Sequence, residues 1–173
     1  MTLIDEFLAE YDFDERHSID VEANAQAVYN AAQYADLSES FIVRMLFKLR
    51  GMSNPKLTLR DLEYYKFRIL GARPKKELLI GLAGRFWTPS GDLQDVDATN
   101  FREFQKDGYA KAAWNFTIDE TPKGSLLTTE TRIKCIGDSS RRYFGVYWTI
   151  IQPFSGWIRM EMLKVIKRRA EAN

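Results

Sequence analysis

The chain of 173 residues carries 25 Lys and Arg against 24 Asp and Glu, a formal net charge of +1, so its overall charge supplies no argument for a nucleic-acid partner. At 45% apolar and 13% aromatic it is expected to fold as a single domain over 1–173, burying roughly two thirds of its unfolded surface. One cysteine, Cys135, excludes an internal disulfide; with no signal-peptide pattern at the start and no run of about 18 apolar residues, a cytoplasmic protein is expected.

Leu3, Ile4, Phe7, Leu8 and Tyr11 recur at helical spacing, predicting a helical N-terminal extension over residues 2–11 that packs on the body. From Glu15 to Val21 the chain alternates, with His17, Ile19 and Val21 on one side and Arg16, Ser18 and Asp20 on the other, as in a half-buried strand. Asn24 can cap a helix from Ala25 to Tyr34, and a second helix is expected over Phe41 to Arg50, stopped by Gly51. Residues 1–22 are strongly acidic and 41–60 purely basic, so these segments are candidate complementary faces.

Strands are expected over Phe67 to Ala72 and Glu77 to Trp87, a short one over Asp92 to Val96, and a helical turn near Phe101 and Phe104. Tyr109 to Ile118 and Ser125 to Ile136 read as a hairpin about Pro122-Lys123, with Asn115 opposite Glu130 and Trp114 opposite Thr131. That register puts Ala110, Ala112, Trp114, Phe116 and Ile118 on one face with Leu127, Thr129, Thr131, Ile133 and Cys135. Lys111, Asn115, Glu130, Arg132 and Lys134 take the other face, where Glu130 and Arg132 are read as a solvated ladder with Asn115. A long helix over 138–170 follows, capped at Asp138 or Ser139. Its apolar face carries Phe144, Tyr147, Ile151, Phe154, Ile158, Met162 and Val165, and Pro153, which removes one helical hydrogen bond, is expected to kink it.

The order strand, helix, helix, strands, long helix resembles the START-like, or SRPBCC, superfamily over about Glu15 to Ala170. So do the runs Glu15-Arg16-His17-Ser18-Ile19, Gly84-Arg85-Phe86-Trp87, Trp114-Asn115-Phe116, Thr129-Glu130-Thr131-Arg132 and Pro153-Phe154-Ser155-Gly156, which are similar to a bacterial subgroup. The resemblance implies an α+β helix-grip fold. A curved antiparallel sheet of six to seven strands wraps around the long C-terminal helix, two short helices follow the first strand, and an extra N-terminal helix lies outside the common core. It also implies binding of a hydrophobic or amphipathic small molecule (lipid, isoprenoid or polyketide-like) between sheet and helix.

Candidate ligand-binding residues are Arg85, Trp87, Trp114, Phe116, Thr129, Thr131, Phe144, Trp148 and Ile151. Arg85 either holds a ligand carboxylate or phenolate or pairs outward with an acid. Trp114, Phe116 and Trp148 form an aromatic wall or ordinary core. The threonines orient a ligand or bond each other. An alternative is a cyclase- or aromatase-type enzyme, for which Arg85, Tyr109 and His17 are the candidates. A third reading is a ligand-free interaction module using the basic 41–60 stretch, and contact of 41–50 with a membrane is the less favoured use of that helix. One histidine and one cysteine, with no Walker loop or G-x-G-x-x-G, predict neither metal nor cofactor.

Overall fold

The computed structural model describes residues 1–34, 36, 58 and 63–172. Its elements are α1 (Leu3–Phe7), β1 (Phe13–Val21), α2 (Ala25–Tyr34), a 3-10 turn (Glu63–Tyr65), β2 (Arg68–Arg73), β3 (Glu77–Gly84), α3 (Asn100–Glu103), β4 (Tyr109–Thr121), β5 (Gly124–Ile136) and α4 (Asp138–Glu171). The sheet is antiparallel throughout, in the order β1-β5-β4-β3-β2. One long helix laid across such a sheet is the helix-grip arrangement. It has five strands rather than six or seven, because Asp92 to Val96 contributes only an isolated bridge between Gln94 and Ala83. The expected helix over 41–50 and, Thr58 apart, the basic 41–60 stretch with its proposed membrane or partner contacts lie outside the described residues.

Strand alternation divides the sheet into two faces with different cores. On the inner face Val21, Leu78, Ile80, Leu82, Trp114, Phe116, Leu127 and Ile133 pack against α2 and α4. Phe116, Leu78, Leu127 and Leu163 are almost completely enclosed, and burying each is worth about 1.5–3 kcal/mol. The helix Ala25–Tyr34 matches expectation, its cap formed by the Asn24 Oδ1 accepting from the Ala27 N–H at 2.9 Å.

On the outer face Leu79, Ala83 and Ala113 are covered by Leu3, Ile4, Leu8, Val96 and Phe101. The N-terminal extension therefore roofs the sheet's outer face, and its helix is only five residues long, with Tyr11 beyond it and exposed. This roof overturns the solvated-ladder reading of Asn115, Glu130 and Arg132. Asn115 is 1% exposed, donating from Nδ2 to Glu77 Oε1 (2.9 Å) and accepting from the Glu130 N–H (3.1 Å). Glu77 also accepts from the Leu3 N–H at 2.7 Å. Arg132 donates to Glu130, Asp5 and the Leu8 carbonyl. The acidic N-terminal segment meets described cations in Arg73, Arg132, Lys134 and Arg141.

The helix α4 runs from Asp138, with Gly137 rather than Asp138 or Ser139 at the cap position, and continues through Pro153 to Glu171. Its C-terminal half is seated firmly: Met162, Leu163, Val165, Ile166 and Ala170 are buried. Phe144 is buried near the other end, but no residue from Gly145 to Glu161 is fully buried. Phe154, placed on the apolar face by spacing, is 47% exposed beside Ile150 and Trp157.

Candidate functional site

Register brings one row of side chains to the inner face beneath the middle of α4. Glu15 on β1 pairs with Thr131 on β5, and Thr131 with Trp114 on β4. From above, Arg159 of α4 places its guanidinium carbon 4.9 Å from the Trp114 ring centroid. One residue pair along β1, His17 Nε2 lies 2.9 Å from Glu15 Oε1, and Gly156 gives the pair room against the helix.

These residues share a second property. Among the described residues, the buried side-chain polar atoms without a hydrogen-bond partner are Glu15 Oε2, Trp114 Nε1, Thr131 Oγ1 and Arg159 Nε. Unpaired buried polar groups are costly, so their gathering at one place calls for a companion that the protein itself does not supply. Loss of hydration holds the Arg159 guanidinium down at about 10, with the nearby Glu15 carboxylate opposing the shift. The guanidinium stays a cation at neutral pH, beside an anion and over an aromatic face.

Around this polar centre the surface is apolar. Phe67 meets Trp114 edge-on at 5.3 Å. Toward the start of α4, Phe144 gathers Phe13, Phe86, Trp87, Tyr147 and Trp148, with centroids between 5.1 and 5.9 Å from it. The sheet beneath that end carries short side chains, Ala110, Ala112 and Cys135.

The structure separates the sequence-predicted candidates. Trp114 and Thr131 belong to the polar centre. Phe116 and Thr129 flank it, but the Thr129 hydroxyl is committed to the Asn115 carbonyl at 2.8 Å, and Phe116 is 1% exposed. Trp87, Phe144 and Trp148 belong to the aromatic group, so Trp148 joins Phe13 and Phe144 while Trp114, among the described residues, has Phe67 as its ring neighbour. Ile151 is half-buried on α4.

Arg85 does not face this site. β3 ends at Gly84, where Leu93 and the Gly91 carbonyl approach the backbone, and residues 85–87 turn away from the strand. Arg85 donates to Asp92 at 2.7 Å, stacks over Tyr109 and is exposed. Tyr109 itself hydrogen-bonds Asp92 and packs on Phe104. Arg85 and Tyr109 thus meet at Asp92, Arg85 exposed and Tyr109 buried, apart from His17.

Arg159 was missed by sequence reading because a lone arginine within a helix normally faces water. The available signal was position: Arg159 follows Ile158 and precedes Met162 on the packed side of α4. Among the described residues no three His, Cys, Asp or Glu side chains gather to hold a metal ion, and no helix is long and apolar enough to cross a membrane.

No protein-family model and no curated protein sequence matches the chain. Among solved structures it is similar to protein MLL2253 of Mesorhizobium loti, at 13% identity and TM-score 0.44 over 90% of this chain and 98% of that one. It is also similar to protein CV1439 of Chromobacterium violaceum, at 11% identity and TM-score 0.42 over 92% and 99%. A third likeness is to the di-domain ARO/CYC BexL, at 13% and 0.43, covering 93% of this chain and half of that one. At these identities and scores they carry no argument about what this chain binds.

Proposed function

We propose that the chain binds a hydrophobic or amphipathic small molecule between the inner face of the sheet and the middle of α4. The observation that carries this reading is the convergence of Glu15 Oε2, Trp114 Nε1, Thr131 Oγ1 and Arg159 Nε, buried and without protein partners, inside an apolar and aromatic surround. Few and convergent polar groups in an apolar enclosure are what a small-molecule site needs to fix orientation while burial supplies affinity. The middle of α4 supports it as well: an apolar stretch with no fully buried residue has surface to give to a ligand. Native mass spectrometry of freshly purified protein, followed by denaturing extraction, tests the reading. A stoichiometric apolar adduct that is lost in a Trp114→Ala variant is the expected result; a clean apoprotein that takes up no lipid, isoprenoid or polycyclic compound overturns it.

A second reading, that the bound molecule is also transformed, is favoured by the His17–Glu15 contact at 2.9 Å. A carboxylate held at one imidazole nitrogen orients the ring and fixes which nitrogen faces a substrate, the positioning a general base needs. A His17→Gln variant that binds a turned-over compound normally but converts it at least a hundredfold more slowly would support this reading, and unchanged turnover would remove it.

A further inference from the structure

The donor and acceptor pattern of the polar centre restricts the head group, on the premise that a ligand occupies this site. Trp114 Nε1 and Arg159 Nε can only donate, Glu15 Oε2 accepts, and the Thr131 hydroxyl does either. A companion that satisfies all of them must accept at least two hydrogen bonds and donate at least one. A carboxylate head has nothing to donate to Glu15, and an ammonium head has nothing to accept from Trp114 or Arg159.

Charge points the same way. The Arg159 cation and the Glu15 anion already stand close enough to influence one another, so the pair is formally neutral before any ligand enters. An added anion would gain the guanidinium but face the carboxylate, and an added cation the reverse. Within an apolar enclosure neither regains the hydration it gives up. The row also gathers the groups on one line: Glu15, Thr131 and Trp114 occupy directly opposed positions on three adjacent strands, so their side chains stand side by side on the inner face.

We propose that this centre reads an uncharged oxygen function that both donates and accepts, a hydroxyl, phenol or hydroxyketone on an otherwise apolar molecule, and discriminates against carboxylate and ammonium heads. Glu15 takes the ligand's O–H, Trp114 Nε1 and Arg159 Nε donate to its oxygen, and the Thr131 hydroxyl donates to a second oxygen where the ligand has one. The aromatic group around Phe144 receives the apolar body.

Calorimetric titration with two matched probe series tests this, since the shape of the apolar body is open. One is 2-naphthol, 2-naphthoate, 2-naphthylmethylamine and 2-methylnaphthalene; the other is dodecanol, dodecanoate, dodecylamine and dodecane. In the series that binds, the hydroxyl compound is expected to bind about tenfold tighter than the other three, the worth of one well-made buried hydrogen bond. Thr131→Val, which keeps the side chain's shape, and Trp114→Phe, which removes the N–H and trims the ring, should each narrow the ratio of hydroxyl-compound to hydrocarbon affinity toward one. Tighter binding of the acid or amine overturns the proposal. So does equal binding of the hydroxyl compound and the hydrocarbon, which would mean that the four atoms keep water instead of reading the ligand. Failure of every probe in both series overturns the container reading beneath it.

Discussion

Gly156 of α4 stands so close to Glu15 of β1 that a Cβ at the glycine would lie 2.6 Å from Glu15 Oε1, with the His17 ring at 3.3 Å. The helix crosses the strand where the buried carboxylate sits, and a hydrogen atom is all the crossing accommodates. Because the clashing atom is the end of a flexible side chain, Gly156→Ala should fold: the helix gains up to about 1 kcal/mol of propensity while the carboxylate is pushed from its place. The expected outcome is an unchanged or raised Tm together with ligand affinity lowered several-fold. A raised Tm with unaltered affinity would place the Glu15–His17 pair outside the site.

The outer-face network predicts a different kind of loss. Glu77 accepts from the Leu3 N–H and the Asn115 side chain, both enclosed beneath α1. Glu77→Leu strands both donors and should cost about 2–4 kcal/mol. Because one stranded donor belongs to α1, the N-terminal segment should also become sensitive to limited proteolysis before the rest of the chain unfolds. Urea denaturation and a digestion time course check both parts.

The same segment should contribute to acid sensitivity. The Asp5 carboxyl is lowered from 3.8 to about 2, chiefly by accepting from the Thr2 hydroxyl, then from the Thr2 N–H, with Arg132 assisting. A lowered folded-state value means that the unfolded chain binds the proton more readily. The stabilisation is therefore present above about pH 4 and lost as the pH falls toward 2. Asp5→Asn should flatten the stability profile in that window and leave its shape above pH 5 unaltered. Because Asp5 is more than a third exposed, the effect should be modest.

Cys135 lies on the inner face, 5% exposed, and burial, with Asp12 adding to it, pushes its thiol up to about 12. At pH 8 only about one molecule in ten thousand then carries a thiolate, the reactive form. Native protein should resist alkylation by iodoacetamide for hours, while unfolded protein reacts at the rate of a free cysteine. Rapid labelling of the native chain would contradict the enclosed placement.

Much of the fold follows from local pattern. Period-two alternation from Tyr109 to Ile136, with the short turn at Pro122-Lys123, is enough to place Asn115 opposite Glu130 and Trp114 opposite Thr131, and both pairs occur. The helix from Ala25 and its Asn24 cap were equally legible. Alternation assigns a residue to a face but not to water or to a cover. Asn115 and Arg132 were therefore placed on the correct face and wrongly exposed, since their roof arrives from a segment more than a hundred residues away.

The candidate site divides along the same line. By itself the sequence determined which side of each strand Glu15, Thr131 and Trp114 occupy, because side-chain direction in a strand is a local consequence of backbone geometry. Only the tertiary structure decided that Arg159 completes the group, that Gly156 makes space for Glu15, and that Arg85 turns outward to Asp92. Those relationships depend on the angle and height at which α4 crosses the sheet and on where β3 ends. Packing of the whole core sets these quantities, and no periodicity within a single segment encodes them.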